Sequence, residues 1–279
     1  MRIIRFLDEH GTERFGVDYQ EDGTAELLSN HPLHGGRPNG ERLAVAKLLC
    51  PIVPPAIMCI GLNYRQHAAE TGQDLPEHPV LFMKNPAAIN HPGDPIHLPA
   101  CSFGPEVDYE VELGVIIGQQ ARDVDEADAI EHVLGYTVGN DVSARRWQKH
   151  AGGGQWVRGK SFDTFCPFGP CIVTPDELTD PQTLELTTQL NGEVMQQSST
   201  ADMIFSVARL VAELSRDMTL LAGTLILTGT PSGVGVARDP RVFLKPGDTV
   251  ACRIDRIGEL TNPVEGQACD PHSAPTRGG

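Results

Sequence analysis

The stretch E-V-D-Y-E-V-E-L-G-V-I-I-G, residues 106–118, constrains this chain more than any other segment. Acidic and apolar residues alternate along it with the period of a β-strand, whose successive side chains point to opposite faces. Val107, Tyr109, Val111 and Leu113 would face a core, with Glu106, Asp108, Glu110 and Glu112 opposite them. Val115, Ile116 and Ile117 are then apolar on both faces, so the strand runs into the interior. Four aligned carboxylates repel one another. Either their face is in water or a cation compensates it. Glu110 and Glu112, at i and i+2, can hold one hard cation, and Mg²⁺ takes carboxylate oxygens while keeping several waters. Asp141 follows the apolar run at 135–139 and is a candidate third carboxylate from a neighbouring strand. The competing local reading is a solvent-facing strand with acids on its wet side.

Around this strand the chain reads as mixed, mainly β, with some α. Arg2–Leu7, Arg14–Asp18 and Thr24–Leu28 suggest a small N-terminal β domain, residues 1–52. A polar Gly/Pro bridge (31–40) and the P-I-V-P-P punctuation (51–55) close it. In the main body, 53–265, strands are expected at Ile57–Gly61, Val80–Lys84, Asp108–Ile117, Gly135–Asn140, Cys171–Thr174, Leu184–Leu190, Thr224–Leu227 and Thr249–Ile254. Helices are expected at Tyr64–Thr71 (with Asn63 as N-cap and Gly72 as C′), at Asp125–Val133 and within 201–217. A Pro-Gly turn at 243–248 should join two strands. The tail 266–279 has too little apolar surface to order itself.

Bulk charge narrows the partners. Lys+Arg number 22 and Asp+Glu 37, for a net charge of −15, which argues against nucleic-acid or anionic-membrane partners. No apolar run is long enough for a membrane span. Seven scattered cysteines, with no C-x-x-C, suggest a reducing compartment. With no signal-like N-terminus, the expectation is a cytoplasmic protein.

Three further segments carry candidate chemistry. His67 and Glu70 in N-Y-R-Q-H-A-A-E share a helix face, and a carboxylate beside an imidazole orients it as a general base. For an isolated pair, an exposed surface His and Glu is the commoner outcome. Lys160 in W-V-R-G-K-S-F-D lies in a Gly- and aromatic-rich context, suited to pairing an anion, though a solvated lysine is the usual case. In L-I-L-T-G-T-P-S-G-V-G-V a strand feeds a glycine-rich loop whose N–H groups can bind an oxyanion, or which simply turns the chain.

Taken together and in this order, these segments resemble the fumarylacetoacetate hydrolase family. The likeness covers about residues 55–262. It rests on C-I-G-L-N-Y-R-Q-H-A-A-E (59–70), D-Y-E-V-E-L (108–113), G-N-D-V-S-A-R (139–145), Q-W-V-R-G-K-S-F-D (155–163) and T-G-T-P-S-G-V-G (228–235). G-K-S-F-D-T-F-C-P-F-G-P is closest in look to the domain-2-type short-chain members of the acylpyruvase and oxaloacetate tautomerase–decarboxylase kind. The resemblance implies a β-roll catalytic domain behind a small N-terminal domain, usually as a homodimer. It implies Glu110, Glu112 and Asp141 as ligands of Mg²⁺, or of Mn²⁺ or Ca²⁺. It implies His67, Glu70 and Lys160 as catalytic, with the first two on a lid helix. Arg145, Gln148, Thr230 and Gly229 would contact substrate. Arg146 departs from the family, where many members carry Asp.

The activity so implied is metal-dependent hydrolysis of the C–C bond of a 2,4-dioxo acid, through an enolate. The same electron sink would serve oxaloacetate decarboxylation or keto–enol tautomerisation. A non-catalytic metal-binding scaffold would be expected to lose part of the dyad or triad, yet all six positions are present. An iron oxygenase would need a two-His, one-carboxylate set that the sequence does not offer. Within the acidic stretch, Glu110 and Glu112 are assigned to the cation. Glu106 and Asp108 are expected to be outer-shell or solvated.

Overall fold

Residues 106–118 form two strands, Val107–Asp108 and Val111–Ile117, separated by Tyr109 and Glu110. The chain is described by a computed structural model over residues 1–102 and 104–266, so the expected tail beyond Gly266 lies outside the described residues. Side chains replace the ladder at the break. Asp108 Oδ1 accepts from Tyr109 N–H (2.9 Å), Asn140 Oδ1 from Glu110 N–H (3.0 Å) and Gln196 Oε1 from Val111 N–H (3.0 Å). The pleat therefore does not carry its phase across the whole stretch. Nor is there a wet face. Glu106, Asp108, Glu110 and Glu112 are all buried, which corrects the solvated reading of the first two.

The second of these strands lies in the middle of a twelve-stranded sheet, between Val133–Asn140 and Leu225–Leu227. Leu225–Leu227 pairs in parallel with Ile57–Gly61, and Val80–Lys84 closes that edge. At the other end Arg2–Leu7, Glu13–Val17, Thr24–Leu28 and Pro38–Ala44 continue the sheet, because Arg2–Leu7 pairs with Cys166–Val173. A five-stranded sheet, built of Glu193–Ser199, Glu185–Leu190, Thr249–Ile254, Gly258–Glu265 and Ile96–His97, packs on the large one. The core between them holds fully buried Tyr136, Val138, Ile172, Leu186, Cys252 and Leu260. Helices are short: Arg65–Glu70, Val157–Lys160 and Val207–Ser215. The fold is mixed and mainly β, as expected.

Departures from the expected elements have local causes. The helix expected at Asp125–Val133 is a single 3₁₀ turn, Ala129–His132. A longer helix would set Asp125, Asp128 and Glu131 at like-charged i, i+3 spacing, and Val133 is drawn into the ladder opposite Ile117. The expected helix over 201–217 is confined to Val207–Ser215, started by the Ser206 side chain accepting from Arg209 N–H (3.1 Å). The polar bridge contains the strand Pro38–Ala44, whose exposed edge position leaves no alternation to read. The strand expected from Cys171 begins at Cys166. Lys245-Pro246-Gly247-Asp248 turns with Gly247 at φ +90° and Asp248 N–H on Lys245 O (3.1 Å), but no strand precedes it. Leu244 N–H bonds Val107 O instead. Asn63 is no helix cap. Tyr64 holds that position, and the Asn63 amide is buried.

Candidate active site

Strand register brings the acids together. Val111 pairs with Asn140, so Asp141, one residue past the partner strand, falls beside Glu110, whose carbonyl accepts Asp141 N–H (2.9 Å). Glu110, Glu112 and Asp141 each offer an oxygen within 4.8 Å of the others. Two lysines enter this cluster. Lys160 ends the short helix Val157–Lys160, and its Nζ lies 2.7 Å from Glu110 Oε2 and 2.6 Å from Asp141 Oδ2. Lys84, the last residue of its strand, bonds Asp141 Oδ1 and the Val142 carbonyl. Both lysines are 1 % exposed, so neither ammonium is solvated.

Arg145 organises the outer acids. Its Nε donates to Asp108 Oδ2 (2.8 Å), and Nη1 reaches Glu110 Oε1 (2.7 Å) and Gln148 Oε1 (3.1 Å). Asp108 also accepts from Gly235 N–H (2.8 Å) and Val236 N–H (2.9 Å). A Cβ at Gly235 would lie 1.8 Å from Val242 O and 2.7 Å from Asp108 Oδ1, so only glycine allows this approach. Glu106 accepts from Arg146 N–H (2.7 Å). Arg145 thus contacts protein acids and Gln148.

Counting Asp108, four buried carboxylates face three cations, and the shortfall falls on Glu112. Its carboxylate accepts Gly229 N–H (2.8 Å) but has no cationic partner among the described residues. Burial, then Asp141 and Glu110 close by, push its carboxyl well above the ordinary range. Burial also acts to raise Glu110, but Lys160 and Arg145 overcome it and hold that carboxyl down. Lys160 is held protonated: desolvation pulls it down, and Asp141 and Glu110 outweigh that. A buried, all-oxygen set short of one positive charge fits a hard divalent cation.

The glycine loop and the short helix complete the cavity. Gly229, at φ +102°, would bring a Cβ within 2.8 Å of Asn63 Cβ, so the loop passes here only as glycine. Asn63 clips the segment before the helix to the loop and beyond, donating to Thr228 O (2.7 Å) and Phe205 O (3.0 Å). On Arg65–Glu70, His67 Nδ1 lies 3.2 Å from Glu70 Oε2, and Glu70 accepts Gly233 N–H (3.0 Å). Burial would raise the Glu70 carboxyl, but His67 and Gly233 together hold it below its usual value.

A small cavity, about 80 Å³, is walled by His67, Glu110, Glu112, Gln148, Lys160 and Thr230, among others. Arg145 also reaches it, with Phe82 and Trp156 as its aromatic side. Glu70, Asp141 and Gly229 stand behind these residues and do not line it. Lys84, the clip that Asn63 makes to Thr228 and Phe205, and the Asp108–Arg145 pairing escaped the sequence reading. Lys84 closes an otherwise apolar run, V-L-F-M-K, and its lack of a neighbouring acid in sequence was the one available hint.

Comparison with known proteins identifies the family. The family model "Fumarylacetoacetate (FAA) hydrolase C-terminal" matches residues 56–265, and "Rv2993c-like, N-terminal" matches 1–51. Oxaloacetate tautomerase FAHD2A, mitochondrial, of Bos taurus is 48% identical over 249 residues, covering 89% of this chain and 79% of that protein. Oxaloacetate tautomerase fahd2, mitochondrial, of Xenopus laevis is 48% identical over 218 residues, covering 78% and 68%. A crystal structure of 2-hydroxyhepta-2,4-diene-1,7-dioate isomerase from Mycobacterium marinum superposes with a TM-score of 0.82 at 41% identity, covering 96% of this chain and 100% of that one. The chain belongs to the fumarylacetoacetate hydrolase family and is an enzyme of that family. The cytoplasmic expectation does not stand, since these curated relatives are mitochondrial. Scattered thiols report a reducing environment, which does not separate one such compartment from another. No helix among the described residues is long and apolar enough to cross a membrane.

Proposed function

We propose that this chain interconverts the keto and enol forms of a small 2-oxo dicarboxylic acid of the oxaloacetate type, with Mg²⁺ held by Glu110, Glu112 and Asp141. One observation carries the reading. Glu110 and Glu112, from a carboxylate cluster short of one positive charge, and the imidazole of the His67–Glu70 pair line the same small cavity. When bound, the cation would neutralise the acids and polarise a substrate carbonyl. With its Nδ1 proton donated to Glu70, His67 keeps Nε2 as the acceptor. Nε2 takes a proton from the carbon beside the keto group, the electron pair moves onto the keto oxygen, and protonation there gives the enol. The buried Lys160 ammonium supplies fixed positive charge to the wall where that oxyanion develops. Phe82 and Trp156 limit water beside it. Lys149 lines the cavity with no carboxylate partner among the described residues, which gives a second substrate carboxylate a cation to meet despite the net charge of −15.

The tautomerase relatives, and the isomerase with the same fold, support proton transfer over the C–C hydrolysis that the family name suggests. Both reactions use an enolate. They differ in whether His67 takes its proton from carbon or from water. The test is a panel of oxaloacetate in each tautomer, with pyruvate release followed separately, alongside an acylpyruvate, in Mg²⁺ and in EDTA. Tautomer exchange that EDTA stops is expected. Absence of exchange alongside acylpyruvate cleavage would replace this reading by the hydrolase. His67→Ala should lower the exchange rate by about 10²- to 10⁴-fold with the metal still bound.

A further inference from the structure

We infer that Gln196 is a positioning residue that sets the substrate side of the cavity. It joins Thr230 to the backbone of Val111, the residue between Glu110 and Glu112.

Gln196 belongs to Glu193–Ser199 in the five-stranded sheet, not to the sheet that carries the acids, and it is 1 % exposed. Its amide is spent at both ends. Nε2 donates to Thr230 Oγ1 (2.9 Å) and to Pro231 O (3.0 Å). Oε1 accepts from Val111 N–H (3.0 Å) and from Thr188 Oγ1 (2.8 Å). Thr230 in turn donates its hydroxyl proton to Val111 O (3.0 Å). The three residues therefore close a ring of hydrogen bonds in which both polar backbone atoms of Val111 are used. The ladder irregularity between Thr188 and Gln189 skips Met195, the residue before Gln196, and a bulge there re-aims neighbouring side chains.

This ring determines what Thr230 can offer. Its hydroxyl proton is committed to Val111 and one lone pair to Gln196, so the hydroxyl does not donate to a ligand. The backbone N–H of Thr230 has no partner among the described residues, in a residue that is 5 % exposed and lines the cavity. An N–H without a protein partner in a buried, cavity-lining residue is a donor available to a ligand. Gln196 ties Thr230, a residue of the cavity wall, to the strand that carries Glu112, which fixes where this donor sits. The inference rests on the proposed reading only in taking the ligand to be a 2-oxo acid.

Oxalate presents the same adjacent oxygens as such an acid and is the probe. Its binding to the Mg²⁺-loaded protein is measured by calorimetry, alongside Mg²⁺ binding. Gln196→Met keeps the volume and removes all four hydrogen bonds. It should weaken oxalate about tenfold or more while Mg²⁺ affinity stays within about threefold. If the Met variant does not fold, Thr230→Val reports on the same link, since it leaves the Gln196 bonds to Val111 N–H and Thr188 in place. Thr230→Val should also weaken oxalate, and the double variant should be no worse than Thr230→Val alone, since both act through one ring. Unchanged oxalate binding in Gln196→Met or in Thr230→Val, or fully additive losses, overturns the inference. A wild type that binds Mg²⁺ and oxalate but exchanges no tautomer would sink the proposed function and leave this inference standing.

Discussion

Asp108 and Glu112 stand in one short acidic segment, both essentially unexposed, yet their surroundings are opposite. Asp108 is saturated: Arg145 and the N–H groups of Tyr109, Gly235 and Val236 all point at it. Glu112 receives one N–H and faces two other carboxylates. The first acid is part of the scaffold. The second is stable as an anion only with a further cation. Burial alone therefore does not distinguish a structural acid from a ligand. What distinguishes them is whether the chain completes the coordination itself.

Removing the scaffold acid should have the largest effect. Asp108→Ala strands Arg145 beside Glu110 and should cost about 3–5 kcal/mol of stability in denaturant titrations. A loss under 1 kcal/mol would mean that the two acids are not different in kind. Glu112→Gln should act in the opposite direction. In EDTA the variant should be more stable than wild type by on the order of 1 kcal/mol, while Mg²⁺ binding is lost. The effect should depend on pH. The folded-state pKa of Glu112 is raised, so wild type in EDTA has this group's full contribution below about pH 4.3 and loses it as pH rises. The Gln variant should lack that decline.

The smallest effect belongs to Glu70, whose shift has the other sign. Its folded pKa is lowered, so its contribution is present above about pH 4.3 and fades as pH falls. Amide protection factors in 65–70, with the intrinsic pH dependence of exchange divided out, should therefore fall on acidification in wild type and stay constant in Glu70→Gln. Equal pH dependence in both would remove Glu70 as the clasp between helix and loop.

Much of the fold was legible because local pattern and burial agree in most strands. The apolar runs at 57–61 and 225–227 needed no context. The i, i+2 spacing of Glu110 and Glu112 survives because Glu110 immediately precedes the strand that carries Glu112. The pairing of Asp108 was not legible. Its partners come from residues 145, 235 and 236, and strand alternation says nothing across an interruption made by side chains of Asn140 and Gln196. Lys84 was hidden for a related reason: its acid is 57 residues away in sequence.

The pairing of Arg2–Leu7 with Cys166–Val173 has a consequence for how the chain is made. During synthesis the first strand finds Glu13–Val17 within moments, and Lys47–Leu49 then covers its other edge over Arg5–Leu7, but Arg2 and Ile3 on that edge stay open until residue 173 has left the ribosome. Over that interval a short unpaired edge bearing the buried-type residue Ile3 is available to other nascent chains. Maturation should thus be slow and sensitive to crowding, as expected when the decisive contacts are distant in sequence.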